Sequence, residues 1–146
     1  MRNKLMWILL AFASLTFNTT LAAPELTSLP RQSQAAHLSA EVLARYHYKR
    51  IPLDDAASSK IFDNYLKELD SEKVFFFQAD IDHFAYARTM LDDAILNEDL
   101  SIPFAIYNLY QQRITERITY ARSLLIKGFD FANQESYQYT RKNEPW

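Results

Sequence analysis

Cysteine is absent from all 146 residues, and glycine occurs once, at Gly128. Without cysteine no disulfide can staple the fold, and thiolate metal sites and cysteine nucleophiles are excluded. A single glycine leaves no phosphate-cradling loop and no nucleotide fingerprint. It also disfavours a turn-rich β fold, whose tight turns use glycine at left-handed positions. An excess of basic charge is lacking too: 16 Lys and Arg stand against 18 Asp and Glu, a formal charge of −2. That argues against non-specific binding to nucleic acid or anionic lipid, which needs a basic surface. What the chain does have is core material, with 49% hydrophobic and 14% aromatic residues. Its length allows at most one ordinary domain.

The first 22 residues have the three-part form of a signal peptide: basic Arg2 and Lys4, an apolar run over residues 5–17, then Thr20-Leu21-Ala22. Small residues at 20 and 22 suit cleavage after Ala22. The apolar run, roughly a dozen residues, is short of the ~20 that span a bilayer. The sequence therefore predicts export and no stable membrane span after cleavage. The mature chain would open at Ala23, which is not the cysteine of a lipoprotein, and losing Arg2 and Lys4 takes the charge from −2 to −4.

The spacing of apolar residues predicts an all-α domain of about four helices in a small bundle, covering residues 35–146 after an extended leader at 23–34. Ala35, Leu38, Val42 and Tyr46 give the first helix one apolar face, and Pro52 stops it. Asp54 or Asp55 caps a second helix lined by Ala57, Ile61, Tyr65 and Leu69, with Phe62 and Leu66 widening the stripe. Residues 71–78 read as a turn and an extended linker that buries Phe75 or Phe77. A third helix is expected over 79–96, with Ile81, Phe84, Arg88, Leu91 and Ile95 on one face and Asp80 and Asp82 favourably placed in its first turn. The fourth is expected as one long helix over 101–127. Ser101 would cap it, Pro103 sits in its first turn and Gly128 ends it. Its face would be Pro103, Tyr107, Tyr110, Ile114, Ile118, Ala121 and Leu125. Phe129-Asp130-Phe131 is expected to clip back onto the bundle, before an irregular tail holding Tyr137, Tyr139 and Trp146.

Few residues suggest chemistry. His37, His47 and His83 lack the spacing of a zinc site. The pairs Asp54-Asp55, Asp80/Asp82 and Asp92-Asp93 read as caps and solvated faces, and Asp80/Asp82 lacks the glycine and the closing glutamate of a calcium loop. Ser58-Ser59-Lys60 is no dyad, because adjacent positions on a helix point apart and no oxyanion amides lie near. Tyr65, Phe76, Phe84, Tyr107 and Tyr110 could line a ligand groove but read better as core, with hydroxyls reaching the surface. No catalytic, cofactor-binding or metal-binding residue is assigned, and no cofactor is expected.

One stretch is more specific. Leu69-Asp70, Lys73, Phe75-Phe76 and Asp80 follow in the order seen in the N-terminal helical domain of tail-specific proteases, the periplasmic members of the carboxyl-terminal processing peptidase family. His47-Tyr48-Lys49, Ile106-Tyr107-Asn108-Leu109-Tyr110, Arg117-Ile118-Thr119-Tyr120-Ala121, Phe129-Asp130-Phe131 and Arg141-Lys142-Asn143-Glu144-Pro145-Trp146 resemble further elements of it. The resemblance covers about residues 40–146. In that family the helical region precedes a PDZ domain, which captures a substrate's C-terminal tail, and a protease domain with a Ser/Lys dyad. No position here matches a catalytic residue, so the resemblance implies a non-catalytic scaffold and partner-docking module. Its implied partners are the PDZ and catalytic domains and an adaptor protein or second subunit, in the periplasm. The alternative is a free-standing secreted helical binding protein with an aromatic docking face. A small hydrolase would need a pocket that gathers the Asp, Glu and His residues.

Overall fold

The computed structural model describes residues 24–49, 51–130, 132, 134, 136, 137, 139–141 and 143–146. The expected signal peptide at residues 1–22 lies outside the described residues, as do Ala23 of the leader and Phe131 of the expected clip. The described residues form helices and no strand: α1 (Pro30–Tyr46), α2 (Asp55–Leu69), α3 (Gln78–His83), a 3-10 turn (Ala85–Thr89), α4 (Leu91–Leu96) and α5 (Ser101–Lys127). The all-α class expected from the sequence is the one observed.

α1 begins inside the stretch expected to be an extended leader. Pro30 occupies its first position, where a missing N–H costs nothing, and the Gln32 side chain accepts from the Leu29 amide at 2.8 Å. The remaining leader is held by Asn108, which accepts from the Leu26 N–H at 2.9 Å and donates to the Leu26 carbonyl at 2.8 Å. The stripe expected to face the core is on the outside, with Leu38, Val42 and Tyr46 each more than half exposed. α1 instead turns Ser33, Ala36, His37 and Ala40 inward and packs on α4. Small side chains let two backbones approach closely, so size decided the inner face of α1 more than hydrophobicity did.

α2 is capped by Asp54, whose carboxylate accepts from the Ala57 amide at 2.9 Å. Its deepest line is Ser58, Phe62 and Leu66, and the expected Ile61, Tyr65 and Leu69 flank it half-buried. Of the aromatic run, Phe76 is buried while Phe75 is half-buried and Phe77 exposed, correcting the expected Phe75 or Phe77.

The expected third helix is broken into α3, the 3-10 turn and α4. Ala87 is fully buried, and Met90 bonds back three residues to the Ala87 carbonyl at 3.2 Å. The next amide, Leu91 N–H, would reach Ala87 in a continuous helix. Here it donates to Ser58 Oγ at 2.9 Å, so α2 supplies the acceptor that the break removes. Arg88, expected on the apolar face, lies over the Phe62 ring at 4.8 Å and pairs with Asp63 at 2.7 Å. α4 ends in a Schellman motif: Asp99 N–H donates to the Ala94 carbonyl and Glu98 N–H to that of Ile95, with Glu98 at φ 56°.

α5 runs unbroken over the expected range. Its cap differs, because Ser101 is already helical and its N–H donates to the Asp99 carboxylate at 2.8 Å. Ile102, Ile106, Leu109 and Tyr110 face the core, rather than the whole stripe from Pro103 to Leu125. Beyond Ile114, all residues to 127 except Leu124 are exposed. Phe129, in the expected clip, is 60% exposed. Trp146, expected in an irregular tail, returns to the core and meets Phe76 edge-on at 6.0 Å. That core is Phe62, Leu66, Phe76, Ile81, Phe84, Ala87, Leu91 and Ile106.

Candidate functional site

The turn after α2 is organised by one carboxylate. Asp70, buried at the helix end, accepts from Val74 N–H through Oδ1 at 2.8 Å, and through Oδ2 from Phe75 and Phe76 N–H at 2.8 and 3.0 Å. Three amides that cannot enter a helix are thereby satisfied, and the chain is aimed so that Phe76 enters the core. Lys73 takes φ 53° in this turn. Its ammonium donates to the Glu144 carbonyl and lies 5.6 Å from the Trp146 ring, tying the tail to the same place.

Asp80 fastens α3 to α5. Its carboxylate accepts from Phe77 N–H at 2.9 Å and takes both Arg113 Nε, at 2.9 Å, and Nη2, at 2.7 Å. Arg113 also pairs with Glu116 at 2.7 Å and covers the Phe77 ring at 4.8 Å. Burial alone would push the Asp80 carboxyl up, but the Arg113 guanidinium and the Phe77 amide more than offset it, and its pKa lies below the ordinary value. The hydrogen bonds to Asp80 and Glu116 raise that of Arg113. This two-pronged pair is a structural clamp.

The other singled-out residues are dispersed. His37 is half-buried, its Nδ1 without a partner among the described residues, while His47 accepts from Lys49 N–H at 3.3 Å and His83 lies exposed beside Phe84. Among the described residues no three His, Asp or Glu side chains gather as a metal site. Asp92 is buried, with one oxygen unpartnered among the described residues. Ser58 is fully buried and occupied by the Leu91 amide, so it is a structural acceptor. The five aromatics pack rather than line a groove. Phe76 and Tyr110 lie 5.6 Å apart, Tyr107 and Tyr110 6.3 Å, and Tyr65 donates to the Pro103 carbonyl at 3.0 Å. Burial, then the neighbouring Tyr107, raises the Tyr65 pKa and keeps that phenol a donor. The roles of Asp70, Ser58 and Arg113 went unread in the sequence. For Asp70 the available signal was a carboxylate directly after an amphipathic helix and shortly before a run of aromatics.

Besides the outer stripe of α1, two surfaces lie open among the described residues. One is an apolar groove of about 400 Å³ between α1 and α2, lined by Leu43, His47, Ile51, Leu53, Ile61 and Ile95 among others. The other is the outer half of α5, which carries Ile118, Tyr120, Leu125 and Ile126 at 45–88% exposure. No helix among the described residues is long and apolar enough to cross a membrane.

The Asp70 turn, the α3 start at Asp80 and the long α5 all fall within residues 39–146, which match the family model described as the tail specific protease N-terminal domain. The chain belongs to that family. It is also 39% identical over 124 residues to the "Tail-specific protease" of Haemophilus influenzae, covering 82% of this chain and 18% of that protein. The chain therefore spans under a fifth of the length of that curated relative. Within the tail-specific protease N-terminal domain, Asp70, Asp80 and Arg113 serve the fold, leaving the groove and the outer half of α5 as surfaces for something else.

Proposed function

We propose that this domain is a non-catalytic scaffold and docking module of a periplasmic tail-specific protease. The observation that carries the reading is the family match over residues 39–146, in a chain equivalent to 18% of its Haemophilus influenzae relative. The open apolar surfaces support it, because faces of this kind on a small fold are natural interdomain or partner contacts. The tail capture and the Ser/Lys chemistry implied by the resemblance would then belong to the rest of the enzyme. Export through the segment 1–22 would bring the domain to the periplasm, where proteins with exposed C-terminal tails would be the enzyme's substrates.

The test is an immunoblot of periplasmic extract from the source cells with an antibody to residues 24–146. A band several times larger than 17.1 kDa is expected, and the purified chain should leave an unfolded protein with an apolar C-terminal tail uncut. A periplasmic band near or below that mass overturns the protease reading and favours a free-standing binding protein. Cleavage by the purified chain, abolished by a serine-directed inhibitor, overturns the non-catalytic role.

A further inference from the structure

The outer half of α5 carries a seam as well as exposure. With 3.6 residues per turn, Ile114, Ile118, Ala121 and Leu125 fall on one line of the helix. That line is turned about 120° from the one through Ile102, Ile106 and Leu109 that faces the core. Ile118 is 45% and Leu125 65% exposed, and Ala121 is exposed between them. The 4-3-4 spacing is that of alternating d and a positions of a heptad. Arg117 then takes the flanking g position and Arg122 the e position, one on each side of the seam. Both are exposed, and neither makes an ion pair among the described residues. Residues 117–127 hold Arg117, Arg122 and Lys127 and no carboxylate, in a chain whose overall formal charge is −2.

This arrangement discriminates between occupants. In a parallel pair of copies, g of one helix faces e of the next heptad on the other, which sets Arg117 against Arg122 across the interface. An antiparallel copy fares no better, since residues 117–127 offer no carboxylate to meet either arginine. A helix with the same kind of apolar seam but Asp or Glu on its flanks meets both arginines with opposite charge. We infer that the outer half of α5 docks an amphipathic helix of another polypeptide whose apolar seam is flanked by carboxylates. This deepens the docking part of the proposed function by naming the partner's chemistry.

The test uses the full chain and two designed helical peptides that share an Ile/Leu seam, one with Glu and one with Lys at the flanking positions. Fluorescence anisotropy should show the Glu-flanked peptide binding at least about tenfold more tightly at low salt, with the preference shrinking as salt is added. Ile118→Ser with Leu125→Ser should abolish binding. Ile126→Ser, an equally apolar loss off the seam, should leave it unchanged. Arg117→Glu with Arg122→Glu should reverse the preference toward the Lys-flanked peptide, a result that general loss of structure cannot produce. Equal binding of both peptides, binding of neither, or an equal effect of Ile126→Ser overturns the inference. So does self-association of the chain through this seam, or binding to anionic phospholipid vesicles that the Glu-flanked peptide does not displace. A large native polypeptide on the immunoblot with no discrimination between peptides sinks this inference and leaves the protease reading standing. The converse pair of results does the opposite.

Discussion

Asp70 and Asp80 both sit buried where a helix ends or begins, and each is neutralised differently. Asp70 collects three backbone amides, and charge-assisted bonds of this kind are each worth about 1.5–3 kcal/mol. Asp70→Ala strands those amides beside a buried Phe76 and should destabilise the chain by about 3 kcal/mol or more. Asp70→Asn keeps one oxygen in place of two and should cost roughly half as much. Urea unfolding followed by circular dichroism measures both. Asp80 instead leans on Arg113. Its folded pKa is lowered, so the unfolded chain binds its proton more readily. The stabilisation is therefore complete above the unfolded value of about 3.9 and is lost as pH falls through the lower folded value. Arg113→Gln removes the charge but not the burial. It should cost about 2–3 kcal/mol at pH 7, discounted because the guanidinium is 22% exposed. It should also shrink the stability lost on acidification below about pH 3.9, because the folded Asp80 pKa rises toward the unfolded one. An acid-linked loss of unchanged size in the mutant, measured by urea unfolding across pH, would show that the clamp does not set the Asp80 pKa.

At the scale of elements, legibility followed the length of the pattern. α5 was readable end to end, because 27 residues of helix formers between a first-turn proline and a lone glycine leave little competition. Gly128 stands at φ 75° and ψ −178°, a conformation that is essentially glycine's alone. The break between α3 and α4 was not readable, since its cause is a hydroxyl on another helix: Ser58 takes the Leu91 amide. The inward face of α1 was misread for a related reason, because it is set by packing on a six-residue helix toward which Ser33, Ala36, His37 and Ala40 turn. The candidate docking seam was half-legible. Ile114, Ile118, Ala121 and Leu125 stand out in the sequence, but that they face outward depends on how far the core reaches along α5. The end of α4 gives a test of local chemistry. Glu98 holds the left-handed position of a Schellman motif, where a side chain strains the backbone and glycine does not. Glu98→Gly should raise stability by roughly 0.5–1 kcal/mol after the added freedom of the unfolded chain is counted. It should raise Tm with no change in the steepness of the urea transition.

Across the whole molecule, the core is assembled from distant parts of the chain by two returns. Asn108 draws the leader against α5 through Leu26, and Trp146 packs edge-on against Phe76. The second return closes on the Asp70 turn, since Lys73 contacts both Glu144 and Trp146. If the tail is part of the cooperative unit, its docking and the helices should melt together. The two tryptophans are Trp7 and Trp146, so in a chain cleaved after Ala22 Trp146 is the sole indole and its fluorescence reports the tail alone. Its urea transition should coincide with that of helix content at 222 nm. Trp146→Ala should cost about 1–2 kcal/mol, less than a fully buried tryptophan because the ring is half-exposed to solvent. Lys73→Met should shift both transitions together by a smaller amount, since it removes the ammonium and keeps the turn. A fluorescence transition at clearly lower urea than the helical one would mean that the tail undocks first. The folding unit would then end with α5, and Phe76 would have to tolerate exposure while the remaining helices stay folded.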